Sequence, residues 1–323
     1  MRQVYAAPLG RNVSALGFGC ASLGSRVSAA RGARAIDQAL DLGVTWFDVA
    51  PPYGDGMAEA YLGRSLRGRR EKVVICTKFG IARPRLSLTQ RLLRPLARQA
   101  VAVLPGMRSL ARRARPTGQA AIIDPALIET SVTESLRSLQ TDYLDVLALH
   151  EPTPQQAADP RIFEVLERLR EKGVVRAIGI AGAPASVESA ASAGRPIGIA
   201  QFPDSPFLNA APSLRARLPE PSPMFVTHGV FGSFEAVARE SPQLHAAWEV
   251  VAQRHRFDTG GRLSAVLEAF AFSNNPDGVV ITSMFSVAHI KANCVAASRL
   301  PISGFSDEIR ESHRKCHGLS RAS

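Results

Sequence analysis

The stretch DPALIETSVTESLRSLQTDYLDVLALHEP, residues 124–152, holds a helix and a strand back to back. Asp124 is suited to cap free backbone N–H groups, and Pro125 stands where a first helical residue needs no N–H. The sequence therefore predicts a helix that starts there and runs to about Gln140. The run YLDVLALH (143–150) follows almost at once. It is apolar nearly throughout, as a strand covered on both faces must be. It stops at His150, an ionisable side chain.

The same alternation runs along the chain. Apolar runs of strand length occur at ALGFGCA (15–21), TWFDVA (45–50), VVICTKF (73–79), YLDVLALH (143–150), VRAIGIAG (175–182), IGIAQF (197–202), MFVTHGV (224–230) and GVVITSM (278–284). Helical patterns lie between and after them: SAARGARAIDQALDLG ending at Gly43, MAEAYLGRSLRG ending at Gly68, PRIFEVLERLREKG ending at Gly173, and VAHIKANCVAAS after the eighth strand. Eight strands alternating with helices predict an α/β fold, a (β/α)8 TIM barrel. A doubly wound sheet is the alternative, but no GxGxxG follows the first strand; GFGCASLG (17–24) lacks that spacing. No internal repeat or Ser/Gly linker divides the chain, so residues 1–323 read as one barrel domain. NNPDG (274–278) reads as a plain turn.

Composition fits such a barrel. Of 323 residues, 46% are hydrophobic, which supports a large aliphatic core and argues against disorder. No stretch approaches the roughly 18 uncharged apolar residues of a membrane span. Arg11 and Asn12 interrupt the N-terminal segment where a signal peptide would need an apolar core. Cys20, Cys76, Cys294 and Cys316 are widely spaced with no CxxC, which argues against zinc and disulfides and fits a reducing, cytoplasmic setting. The net charge of +11 is local: nine arginines and no acid lie between Arg83 and Arg115, and without them it falls to +2.

The active site of a TIM barrel gathers at the C-terminal ends of its strands. There the sequence places Asp48 near the end of strand two, Tyr53 in the loop beyond it, Lys78 on strand three, His150 on strand four, Gln201 on strand six and His228 on strand seven. Each alone is more simply a core or solvated side chain. Several at the same end of adjacent strands make coincidence a poor explanation.

FDVAPPYG (47–54), TKFG (77–80), SLRSLQTDYLDVLALHEP (135–152) and VVRAIGIAG (174–182), in that order and spacing, resemble the aldo-keto reductases, with the sugar-dehydrogenase-like branch nearest. The resemblance covers about residues 8–300 apart from the arginine-rich stretch. It implies an NAD(P)-dependent oxidoreductase that interconverts an aldehyde, ketone or sugar anomeric carbon with its alcohol or lactone. It also implies the catalytic tetrad Asp48, Tyr53, Lys78 and His150. A free tyrosine has a pKa of about 10, so a neighbouring ammonium is needed to favour the phenolate. Tyr53 would then serve as acid or base, Asp48 would hold Lys78, and His150 would orient the substrate oxygen.

The cofactor side departs from the family pattern. The Ser-Asn pair that holds the carboxamide is replaced by Ala181 and Gly182, while Gln201 remains. His228 stands where a tyrosine stacks on the nicotinamide, with Phe225 and Phe231 nearby. Ser283, Met284 and His289 align with the positions that grip a 2′-phosphate, and Asn293 with the adenine contact. The family's arginine is absent, although Lys291 could compensate, so the resemblance leans towards NADP without excluding NAD. The phosphates would lie near the strand-eight turn, where a helix N-terminus favours anions.

Residues 81–123 form an insert between strand three and its helix, and about forty residues is long for a βα loop. A solvated lid, a wall attracting anionic substrates, and a membrane-surface contact all remain open, the last weakened by Pro95 in LSLTQRLLRPLARQAVAVLP. Nucleic-acid binding fits worst, because the basic run has no aromatic interleaving. A second functional reading is a weakly active or inactive nucleotide-binding protein that senses or docks. The lost polar pair and the basic insert motivate it; the retained tetrad argues against it.

Overall fold

All eight apolar runs form strands, and their pairing closes on itself. The structure, a computed structural model, describes residues 1–84, 121–233 and 242–316. A hairpin of β1 (Gln3–Ala6) and β2 (Arg11–Ser14) comes first. The barrel strands are β3 (Leu16–Gly19), β4 (Trp46–Asp48), β5 (Val74–Phe79), β6 (Leu144–His150), β7 (Val175–Ala181), β8 (Ile199–Pro203), β9 (Met224–His228) and β10 (Val279–Thr282). Each pairs in parallel with the next, and β10 returns to β3. Every residue of β5 and β6 is buried, because the lumen fills one face and helices cover the other.

The described helices are α1 (Ala29–Asp41), α2 (Ala58–Ser65), α3 (Pro125–Leu139), α4 (Pro154–Ala158), α5 (Pro160–Glu171), α6 (Pro184–Ser192), α7 (Ala210–Arg217), α8 (Pro242–Arg254), α9 (Leu263–Asn274), α10 (Val287–Ser298) and α11 (Phe305–Cys316). Asp124 caps α3 as its sequence predicts, its carboxylate accepting from the Ala126 N–H at 2.9 Å. None of these helices is long and apolar enough to cross a membrane.

Two features at the N-terminal end of the barrel go beyond the sequence reading. The hairpin packs there, with Val4, Ala6 and Val13 buried and the Arg2 guanidinium donating to the Pro276 carbonyl. NNPDG is more than a plain turn. Asn274 and Asn275 are buried, and Asn275 Nδ2 donates to the carbonyls of Phe225 (3.1 Å) and Val279 (3.3 Å), so it ties β9 to β10.

Three strands share one buried carboxylate. Asp145, wholly buried on β6, accepts from the Ile75 N–H of β5 at 2.9 Å, from Arg70 Nη1 at 2.7 Å and from Arg176 Nη1 of β7 at 3.1 Å. The Tyr143 ring lies between the same two guanidiniums, 4.1 Å from that of Arg70 and 3.9 Å from that of Arg176. Asp145→Ala takes the acceptor from the largely buried Arg70 and from the Ile75 N–H, while the half-exposed Arg176 can turn to water. We expect the substitution to lower the unfolding free energy by about 3–5 kcal/mol, the range for breaking a buried pair from one side, measured by denaturant titration.

Candidate active site

Strand register sets the site. Asp48 is level with Cys76, Lys78 with Ala148, and His150 with Ala181, which in turn is level with Gln201. Asp48, Lys78, His150 and Gln201 thus approach the C-terminal mouth from four strands, all of them buried.

Lys78 is 1% exposed at its side chain, and its Nζ lies 2.6 Å from Asp48 Oδ1 and 3.2 Å from the Val49 carbonyl. Burial alone would discharge the ammonium. The Asp48 carboxylate overrides that, aided by Tyr53 and Cys76, and holds the pKa of Lys78 above its ordinary value. The same Nζ stands 4.9 Å from the centre of the Tyr53 ring.

Tyr53 owes its place to the turn before it and the glycine after it. Its N–H donates to the Ala50 carbonyl at 3.0 Å, which closes a turn through Pro51 and Pro52. Gly54 has φ +60°, and a Cβ there would stand 1.6 Å from the Leu23 carbonyl oxygen. Only glycine lets this loop dock on the segment after β3. The sequence predicts a phenol drawn down by Lys78. In the structure burial, with a lesser push from Asp48, outweighs that pull, and the Tyr53 pKa lies above the ordinary tyrosine value.

The His150 ring meets the Tyr53 ring edge to face, with centroids 5.8 Å apart. Burial first, then the charges of Lys78 and His228, lower its pKa to about 3, so it is neutral near pH 7. Its Nδ1 is buried with no partner among the described residues. An orphaned acceptor is better tolerated than an orphaned donor, which leaves the ring proton on Nε2. His228, half-buried at the end of β9, is also held neutral, mainly by burial.

Gln201 is buried, and its Oε1 lies 3.7 Å from Cys76 Sγ, a thiol that burial pushes up to about 12. Where β7 ends, Ala181 and Gly182 offer no polar side chain, and Gly182 is covered by Glu151 and Pro152. Glu151 carries φ +52° and donates its N–H to the Ala181 carbonyl at 2.7 Å.

A second group of residues surrounds the end of β10. Ser283 and His289 are exposed, and Ser286 caps α10 by accepting from the His289 N–H at 3.3 Å. Lys291 is exposed on α10. Asn293 is buried, its Nδ2 donating to Thr282 Oγ1 (3.1 Å) and lying 3.6 Å from Met284 Sδ. Arg31, near the start of α1, donates from Nε to the Phe285 carbonyl at 3.1 Å and so stands beside this group. Sequence reasoning missed Arg31 and Glu151. Glu151 could have been flagged as a carboxylate directly after His150; Arg31 lies too far along the chain to carry such a signal.

Of the arginine-rich insert, only residues 81–84 and 121–123 are described; the expectations for the rest lie outside the described residues. Arg83 is already committed. Its guanidinium pairs with the wholly buried Glu59 at 2.5 Å and donates to the Gly56 carbonyl at 2.6 Å, while Glu59 also accepts from Thr77 Oγ1 at 2.7 Å. That arginine therefore braces the Tyr53 loop against β5 and is not a free cation.

The Aldo/keto reductase family model matches residues 15–213. D-threo-aldose 1-dehydrogenase of a Pseudomonas species is 33% identical over 187 residues, 54% of this chain and 52% of that protein. L-galactose dehydrogenase of Arabidopsis thaliana is 25% identical over 320 residues, 93% of this chain and 89% of that protein. The matches span about half, or less, of the length of the first curated relatives. Among solved structures, the holo form of aldo-keto reductase AKR11C1 from Bacillus halodurans aligns with a TM-score of 0.68 at 23% identity, over 96% of this chain and 95% of that one. That likeness is one of fold.

Gly54→Ala tests the docking of the Tyr53 loop. The clash and the positive φ together are expected to lower stability by about 3–5 kcal/mol. At Gly68, where φ is +73° and nothing stands within 4 Å of the added Cβ, alanine is expected to cost only about 1–2 kcal/mol of backbone strain. Paired denaturant titrations separate the two effects.

Proposed function

The chain belongs to the aldo/keto reductase family, and from that membership we propose a nicotinamide-dependent oxidoreductase that interconverts an aldehyde, ketone or sugar anomeric carbon with its alcohol or lactone. One observation carries this reading: a buried, charged Lys78–Asp48 pair lies against Tyr53, whose ring faces a neutral His150. Similarity to two sugar dehydrogenases supports a sugar or other small carbonyl substrate.

A nicotinamide cofactor, when bound, supplies or accepts the hydride. The protein's part is proton transfer and charge control. Tyr53 donates its proton to the carbonyl oxygen in reduction and takes one from the alcohol in oxidation. Lys78 stabilises the phenolate so formed, Asp48 keeps Lys78 charged and in place, and His150 donates from Nε2 to the substrate oxygen. Burial of all three makes these interactions stronger than they would be in water.

The side chains fit a dinucleotide at both ends. Gln201 and neutral His228 would meet the nicotinamide. Ser283, His289 and the start of α10 would meet the phosphates, with Asn293 beneath the adenine. Arg31 supports NADP over NAD: with Nε fixed on the Phe285 carbonyl, its two Nη groups have no ion-pair partner among the described residues. A guanidinium held by one edge is well suited to a phosphate on the other.

Turnover is tested by loss of the reduced cofactor's near-ultraviolet absorbance with a panel of aldehydes and sugars. Tyr53→Phe is expected to lower kcat/KM by about 10²–10⁴-fold. Absence of turnover in the wild type, or a fully active Tyr53→Phe, would overturn the reading. The donor form of Tyr53 exists below its raised pKa. Reduction should therefore stay level through neutral pH and fall only above about 10, the ordinary tyrosine value, while oxidation gains as reduction falls. His150, with a pKa of about 3, should add no ionisation near neutrality. Arg31→Ala is expected to weaken NADPH by about tenfold relative to NADH in a binding titration.

A further inference from the structure

The carboxamide end of the site has lost the polar side chains expected after β7, yet a polar group stands where they would be. A Cβ placed on Gly182 would lie 3.2 Å from Glu151 Cα, 3.2 Å from Pro152 Cδ and 3.4 Å from Glu151 Oε2. A longer side chain at 182 would therefore compete with Glu151 for the same space. The Ala181–Gly182 pair is the complement of this carboxylate, which reaches across from β6.

Backbone strain points the same way. Glu151 has φ +52°, a left-handed conformation that is strained for a residue with a Cβ. Such strain persists where surrounding structure enforces it, and it clusters at functional sites. Here the Glu151 N–H bond to the Ala181 carbonyl at 2.7 Å holds the turn. The carboxylate remains accessible and lies within the field of Lys78, which offsets part of the upward push of burial on its pKa.

We propose that Glu151 is the carboxamide anchor of this site and that it makes the protein favour the oxidised form of its nicotinamide cofactor. The proposal rests on the nicotinamide-dependent reading above. An ionised carboxylate only accepts hydrogen bonds, and the carboxamide amino group has N–H donors to give it. Gln201, whose amide can donate, is left for the carboxamide oxygen. The family's neutral side chains are indifferent to the charge of the ring. A carboxylate beside it is not, because the oxidised ring carries a positive charge and the reduced ring none. At contact distance that difference becomes a difference in affinity, moderated by the exposure of the carboxylate to water.

The test measures dissociation constants of the oxidised and reduced forms of one cofactor, by calorimetry or fluorescence quenching, on the full-length chain. Glu151→Gln keeps the size and removes the charge; it is expected to lower the oxidised-over-reduced affinity ratio by about tenfold, or about 1.4 kcal/mol. Glu151→Ala is expected to lower the ratio similarly and to weaken both forms. A ratio that stays at the wild-type value in both variants, while wild type binds cofactor, overturns the role of Glu151 alone, as does an effect confined to substrate KM. Failure of the wild type to bind either form overturns the proposal together with the nicotinamide reading.

Discussion

A lysine ammonium with 1% of its side chain exposed is tolerable only with an anion beside it, and Asp48 at 2.6 Å is that anion. The pair bridges neighbouring barrel strands, β4 and β5, and much of the mouth is arranged around it. The titratable groups nearest to it are driven to their neutral forms. Burial holds the Cys20 and Cys76 thiols and the Tyr53 phenol protonated, and keeps His150 and His228 unprotonated. Among these buried groups the Lys78–Asp48 pair alone is ionic, and Glu151 stands at the exposed rim within the field of Lys78. The field of the pair acts on whatever charge develops nearby, with little competition from mobile charge or water.

That arrangement revises the account of Tyr53. A lysine beside a tyrosine suggests a phenol poised for ionisation. Burial raises the pKa, Lys78 lowers it, Asp48 raises it again, and the sum lies above the ordinary value. Lys78 therefore lowers the cost of a phenolate; it does not create a standing one. A protonated phenol suits a proton donor near neutral pH. The opposite task, accepting a proton, suits the same phenol only at high pH.

The barrel itself was legible in the sequence because buried parallel strands are written as unbroken apolar runs. Each of the eight runs became a strand, with ends shifted by one or two residues where the last residues turn into loops. Asp48, Lys78 and His150 were legible for the same reason: an ionisable residue stands out in an apolar run. Other features were not. The β1–β2 hairpin has four residues per strand, too few for periodicity to register. Asn274 and Asn275 have the composition of a turn, and only burial shows them bonding β9, β10 and α11 together. Arg83 reads as one more basic residue of a long insert until Glu59 is found beneath it.

The misses on the cofactor side share a physical cause. A site at the mouth of a closed barrel is built from elements that are neighbours around the ring. A group lost from one strand can therefore be replaced from the next. The His150–Ala181 register brings Glu151 over Gly182, so a carboxylate from β6 stands where β7 has none. Helix α1 packs beside α10, so Arg31 reaches the Phe285 carbonyl although the turn after β10 and the helix α10 hold no arginine. Position-by-position reading of β7 and β10 finds only absences. These two side chains lie 31 and 254 residues away from the positions they stand beside, counting from Glu151 to Gly182 and from Arg31 to Phe285. A motif is a statement about one segment, whereas a barrel mouth is a statement about a ring. The chemistry of this site belongs to the ring.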